Sequence, residues 1–171
     1  MTRRGLLGMT VAGLIAMIGA TGTATAERRG QASAHQPSAL LHGWAIVGTW
    51  SVQVALANCD TGQELGPTFP ALNTFLAEGS MLSDPAASPT MLRTGHGVWA
   101  HAGGRQFTNT VVLFRFNPDG SYAGTQTVRR EIAVSRDADA FTARDTVTIA
   151  DSGGTVVDTR CGIGRGRRLQ P

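Results

Sequence analysis

Arg130 and Asp145 are the residues of this chain best suited to act together, because the turn between their segments sets them opposite one another on one strand face. A guanidinium on an apolar face would bind a carboxylate or enolate oxygen, and a carboxylate or phenol beside it would move a proton. Asn109 and Gln126 fall in the same phase and would orient a ligand. Tyr122, the only tyrosine, lies towards the end of that face and would donate a hydrogen bond. The competing reading of Arg130 and Asp145 is an ion pair that neutralises itself and holds nothing else. His96 is the last ligand-binding candidate, an imidazole between Gly95 and Gly97 and close to Trp99. Its neighbouring glycines have a plainer reading, the relief of crowding in a bent strand.

Several other chemistries are excluded or disfavoured by what the chain lacks. His35, His42, His96 and His101 are the whole histidine supply, and the last two, five residues apart, fall on opposite faces of a strand. No metal site is expected from that spacing. There is no lysine, which rules out a Schiff base and a phosphate-loop lysine. No Gly-x-Ser-x-Gly elbow occurs. Gly162-Ile163-Gly164-Arg165-Gly166 resembles a phosphate loop only superficially, since no helix follows to supply an N-terminal dipole. No cofactor is implied.

The elements that must position the candidates read as strands throughout. Alternating runs rich in β-branched and aromatic residues span 46–57, 70–78, 80–84, 96–102, 105–116, 121–135, 140–150 and 155–166, divided by Gly, Pro, Asp, Asn and Ser. Asn117-Pro118-Asp119-Gly120 predicts a four-residue loop with Phe116 facing Ser121. That register sets Leu113 opposite Gly124, Val111 opposite Gln126, Asn109 opposite Val128 and Phe107 opposite Arg130. A four-residue loop at Arg136 to Asp139 sets Val134 opposite Phe141, Ile132 opposite Ala143, Arg130 opposite Asp145 and Val128 opposite Val147. On the other face Glu131 then meets Arg144, an opposite-charge pair. One face thus holds Phe107, Val111, Leu113, Val128, Ile132, Val134, Phe141, Val147 and Ile149, interrupted by Asn109, Gln126, Arg130 and Asp145. An apolar wall with a few polar groups describes a small-ligand pocket.

Consecutive hairpins without crossover helices predict an all-β fold, an antiparallel up-and-down barrel of about eight strands that leaves no exposed edge. A two-sheet sandwich is the runner-up. Cys59 and Cys161, the only cysteines, would bridge 102 residues as a structural disulfide. In the chain-entropy model such a closure contributes about 4 to 5 kcal/mol, less any native strain.

The first 26 residues read as an export signal: Arg3 and Arg4 form a basic start, Leu6 to Ala20 is uncharged, and Ala24-Thr25-Ala26 is a small-residue cleavage site. The paired arginines also suit the twin-arginine route, so the expected location is secreted or periplasmic by either that or the general secretory path. Residues 27–44 are small and polar, a flexible lead-in, and the barrel domain is expected over 45–171. Removing Arg3 and Arg4 leaves 13 arginines against 12 acids, a net charge near +1. Such a charge gives no field for nucleic acid, and no stable membrane span is expected after the signal is removed. Oligomeric state is not encoded in any pattern here.

Gly48-Thr49-Trp50, at the head of the first strand, resembles the Gly-x-Trp signature that opens the lipocalins and is also found near the start of the avidins. The resemblance implies a calycin-type barrel with Trp50 at its closed end, under an Arg from the end of the last strand; Arg165, Arg167 or Arg168 would supply it. Without that role Trp50 is an ordinary core residue. The chain departs from lipocalins in its shorter domain and in having no second lipocalin motif, and with only Leu169, Gln170 and Pro171 after Arg168 the usual C-terminal helix is not expected. In character it is closest to secreted bacterial barrels of this type. The leading expectation is an exported barrel holding a small apolar or amphipathic molecule. The alternatives are a cofactor-free cyclase or isomerase using Arg130, Asp145 or Tyr122, as some calycin-like barrels resemble, and a cell-envelope interaction module exposing Val112, Phe114 and Phe116.

Overall fold

A computed structural model describes residues 43–86 and 92–171. The signal segment 1–26 and all of the lead-in but Gly43 and Trp44 lie outside the described residues. Eight strands follow in order: β1 (Gly48–Ala57), β2 (Phe69–Phe75), β3 (Ser80–Pro85), β4 (Gly95–Gly103), β5 (Gln106–Phe116), β6 (Tyr122–Val134), β7 (Ala140–Ala150) and β8 (Val156–Arg168). Each pairs antiparallel with the next, and β8 returns to β1, so the sheet closes. The fold is therefore an up-and-down barrel, and the sandwich alternative is set aside. A closed eight-stranded antiparallel barrel is consistent with a lipocalin-like fold. Among the described residues no helix is long and apolar enough to cross a membrane.

The β6–β7 register is the expected one, with Arg130 opposite Asp145, Val128 opposite Val147 and Glu131 opposite Arg144. Glu131 and Arg144 are register neighbours that form no ion pair; the ion pairs among the described residues are Arg130–Asp145, Arg160–Asp158 and Arg165–Glu64. The β5–β6 hairpin differs from expectation. Asn117 N–H donates to Ser121 O at 2.9 Å and Gly120 N–H to Asn117 O at 2.9 Å, so the loop is the three residues Pro118, Asp119 and Gly120. Gly120 takes the left-handed conformation that such a loop needs, φ 85°. A bulge at Ala123 then adds one residue to β6, and the partners become Leu113–Gln126, Val111–Val128, Asn109–Arg130 and Phe107–Ile132. Each β5 residue has moved two places along its partner. Because side chains alternate with period two, an even displacement keeps every residue beyond the bulge on its expected face.

One end of the barrel is closed by aromatic packing. Trp50 is fully buried, donates its indole N–H to Ile46 O at 2.8 Å and packs on Phe141 with ring centroids 5.0 Å apart. Arg168 lies over the indole at 4.2 Å and donates to the carbonyls of Ala45, Val47 and Ala138. Of the three arginines that the resemblance offered, Arg168 takes the place above Trp50. Removal from water pushes its guanidinium below its ordinary value, with Asp139 opposing the shift. Phe75, Met81, Phe107, Ile132 and Val134 fill the rest of this half. Gly166 faces inward here, and a Cβ at that position would fall 2.2 Å from the Phe141 ring. The Gly-x-Gly-x-Gly run of β8 thus lines the barrel wall and makes room for side chains across from it. The Cys59–Cys161 disulfide, with Cα atoms 5.1 Å apart, ties the segment after β1 to β8, and it fits an oxidising compartment.

Candidate functional site

The other half of the barrel is not filled by the described residues. Between its mouth and the middle of the sheet lies a cavity of ≈ 400 Å³, walled by Val54, Phe69, Ala71, Leu92, Leu113, Val128, Val147 and Ile149. Arg130, Asp145, Ser83 and Gln126 bring polar groups to it, and Arg160 stands at its rim. The volume suits a small organic molecule. A larger groove of ≈ 740 Å³ runs along the outside of β5 to β8 under the segment 57–62, but its lining includes the outward-facing Thr108, Arg129, Glu131, Arg144 and Thr146. Most of its lining side chains are polar or charged, so the interior cavity is the candidate site.

Arg130 and Asp145 form the polar layer at the bottom of the cavity. Arg130 Nε donates to Asp145 Oδ1 at 2.9 Å, and the two side chains are 6% and 2% exposed. Asn73, also buried, accepts from Arg130 Nη1 at 2.8 Å when its amide is turned so that both of its ends meet complementary groups. In that orientation its nitrogen donates to Ser83 Oγ at 2.8 Å and to Leu72 O at 3.1 Å. A buried ion pair supported in this way avoids an uncompensated charge. Asn109, opposite Arg130 in the β5–β6 register, is buried with neither amide atom hydrogen-bonded among the described residues. An unsatisfied buried polar group costs about 1–3 kcal/mol, so Asn109 is a local expense with no structural return.

Four sequence candidates thus share the barrel interior: Arg130, Asp145, Asn109 and Gln126. The first two and Gln126 line the cavity, whereas Asn109 is enclosed beside it. His96 and Tyr122 do not join them. His96 is exposed on the outer face, between Leu82 and Val112 in register, because Gly95 and Gly97 take the inward positions of β4. A Cβ at Gly97 would lie 2.2 Å from Thr110 O, so these glycines allow close strand approach, the plainer of the two readings. Tyr122 precedes the Ala123 bulge, and the extra residue reverses its phase. It is 46% exposed and packs edge-on to Phe114 and Phe116 at 6.0 and 6.3 Å on the outer surface.

Asn73, Ser83, Gly162 and Arg160 belong to the site and were not among the sequence candidates. Asn73 shares the inward phase of Ala71 and Phe75, and Ser83 that of Met81, so period-two phase in two short strands was the available signal. Arg160 and Asp158 share the phase of Gly162, Gly164 and Gly166, which places them on the inner face of β8 at the mouth. They pair with each other at 2.6 Å while half-exposed. Gly162 stands opposite Asp145, and the side chain it lacks would approach Ala55 O at 3.1 Å and Asp145 Cβ at 3.5 Å. Its absence helps to keep the cavity open. No protein-family model matches the chain, and no curated protein matches it in sequence, so the site is read from its own geometry.

Proposed function

We propose that this chain is an exported barrel that binds a small, mostly apolar molecule in the mouth half of its interior, with one polar group of that molecule directed at Arg130 and Asp145. The observation that carries the reading is the ≈ 400 Å³ apolar-walled cavity ending on a buried, hydrogen-bonded ion pair. Burial of apolar surface supplies the affinity, and the few polar groups at the bottom set the orientation. The signal-like residues 1–26 and the Cys59–Cys161 disulfide support export. Native mass spectrometry of the secreted, oxidised protein tests the reading. A mass excess that disappears in Gly162→Leu, whose side chain would occupy the cavity, is the expected result. A protein that carries nothing and binds no apolar probe would end it.

A second reading, a cofactor-free cyclase or isomerase, draws on the same ion pair facing the cavity. Asp145 would then take or return a proton while the walls fold the substrate. Recovery of a bound molecule chemically altered by wild type and unaltered by Asp145→Asn would favour it. The envelope-module reading draws on the outer face, where Val112 and Phe114 are 40% and 57% exposed.

A further inference from the structure

We infer that the ligand presents an uncharged head carrying a hydrogen-bond acceptor beside a donor, such as a primary amide, a lactam or a hydroxycarbonyl group, and that carboxylates are rejected. This rests on the interior-binding reading and narrows its chemistry. The charged groups that line the cavity or its rim are already matched, Arg130 with Asp145 and Arg160 with Asp158. An anion brought to the bottom would therefore give the Arg130–Asp145 layer a net negative charge out of water, with no unpaired cation among the described residues that line the cavity. A guanidinium has five N–H donors. Arg130 uses Nε–H on Asp145 and one Nη1–H on Asn73, and among the described residues Nη2 has no partner. Asp145 Oδ2 likewise has no partner among the described residues.

The bottom of the cavity thus offers donors and an acceptor side by side, with no net charge. A head with a carbonyl oxygen and an adjacent N–H or O–H satisfies both at once. An ester leaves Asp145 unmet, and a carboxylate repels it. Ser83 adds to the same pattern, since its Oγ accepts from Asn73 and its own hydroxyl proton is left to donate. The space, ≈ 400 Å³, equals the liquid volume of about thirteen water molecules at ~30 Å³ each, enough for a ten-carbon chain with a small head.

Calorimetric titration of the mature, oxidised protein with decanamide, decanoate and methyl decanoate at pH 8 tests the inference. Decanamide is expected to bind at least tenfold more tightly than either of the others. Asp145→Asn keeps an oxygen for Arg130 Nε and removes the negative charge, so in that variant decanoate should overtake decanamide. Decanoate binding the wild type as tightly as the amide overturns the inference, as does an unchanged order in a folded Asp145→Asn. If that variant does not fold by thermal melting, the ranking on the wild-type chain decides alone. If no probe binds, the mass of a co-purified ligand decides, a carboxylic acid overturning the inference and a neutral amide-like molecule upholding it. If there is neither probe binding nor a carried molecule, the binding reading falls together with this one.

Discussion

Replacing Asp145 with Ala leaves the Arg130 guanidinium inside the barrel with Asn73 as its remaining side-chain partner among the described residues. Both members of the pair are almost wholly shielded, at 6% and 2% exposure, so solvent does little to screen the charge left behind. Removing one partner of such a buried pair costs about 3–5 kcal/mol, a large part of the roughly 5–15 kcal/mol that holds a domain together. With a urea slope of about 1–3 kcal/mol per molar for a domain of this class, a middle value of ~2 puts the midpoint about 1.5 to 2.5 M lower. The measurement is urea unfolding followed by tryptophan fluorescence and circular dichroism, with coincident curves and an unchanged slope. Arg130→Met combined with Asp145→Leu removes both charges and fills similar volume, and it should cost less than Asp145→Ala alone. The reasoning fails if Asp145→Ala costs under about 1 kcal/mol, which would mean that water entering from the mouth solvates Arg130. It fails equally if the double variant is the less stable of the two.

Three further outcomes follow from the same structure. Asn109→Leu replaces a buried amide without partners by an apolar side chain of similar size, and should raise stability by about 1–2 kcal/mol, read as a Tm higher by several degrees; a lower Tm would show that the amide is satisfied in solution. Cys59→Ser with Cys161→Ser opens a closure of 102 residues and should lower stability by up to about 4 to 5 kcal/mol, measured by urea unfolding against the oxidised wild type. Hydrogen bonds from Ser121 hold the Asp119 carboxyl below its usual 3.8, and the Ser135 hydroxyl does the same for Asp137. Folded values below unfolded ones give stability that is present above the unfolded value and lost as pH falls through the folded one. Acid unfolding below about pH 4 should therefore flatten in Ser121→Ala combined with Ser135→Ala, and an unchanged acid limb would contradict the assignment.

Period-two alternation carried most of the fold, since it depends on which face a residue takes and not on its partner. The β5–β6 register illustrates this. The four-residue loop was expected and a three-residue loop with a bulge at Ala123 is present, yet Asn109, Gln126 and Arg130 stay inside because the two changes together displace the partners by an even number. Tyr122 lies before the bulge, receives an odd displacement, and so moved outside. No local residue signal marks a bulge at an alanine, although Gly124 beside it takes φ 122°, where a Cβ would meet Ala150 O at 2.0 Å. His96 failed for a different reason. Its phase was readable, but in β4 the glycines occupy the inner face, which reverses the usual sense that the larger residue packs inward.

The cavity itself follows from an uneven distribution of side-chain size along the barrel axis, which no single strand reveals. Inward positions at the closed end are Trp50, Phe75, Met81, Phe107 and Phe141, and they pack to completion around the axis. Towards the mouth the inward positions are Val54, Ala71, Leu113, Val128 and Gly162, whose volumes cannot meet across the same diameter. Arg130, Asp145, Asn73 and Ser83 stand at the boundary between the two halves. A polar layer placed there would be a poor way to stabilise a core, because apolar residues of equal volume would do as well or better. At the bottom of an open cavity the same layer has a use, since it sets the polar end of whatever enters against a fixed pattern of donors and acceptors. The position of the ion pair, more than its existence, is therefore the argument for a bound ligand.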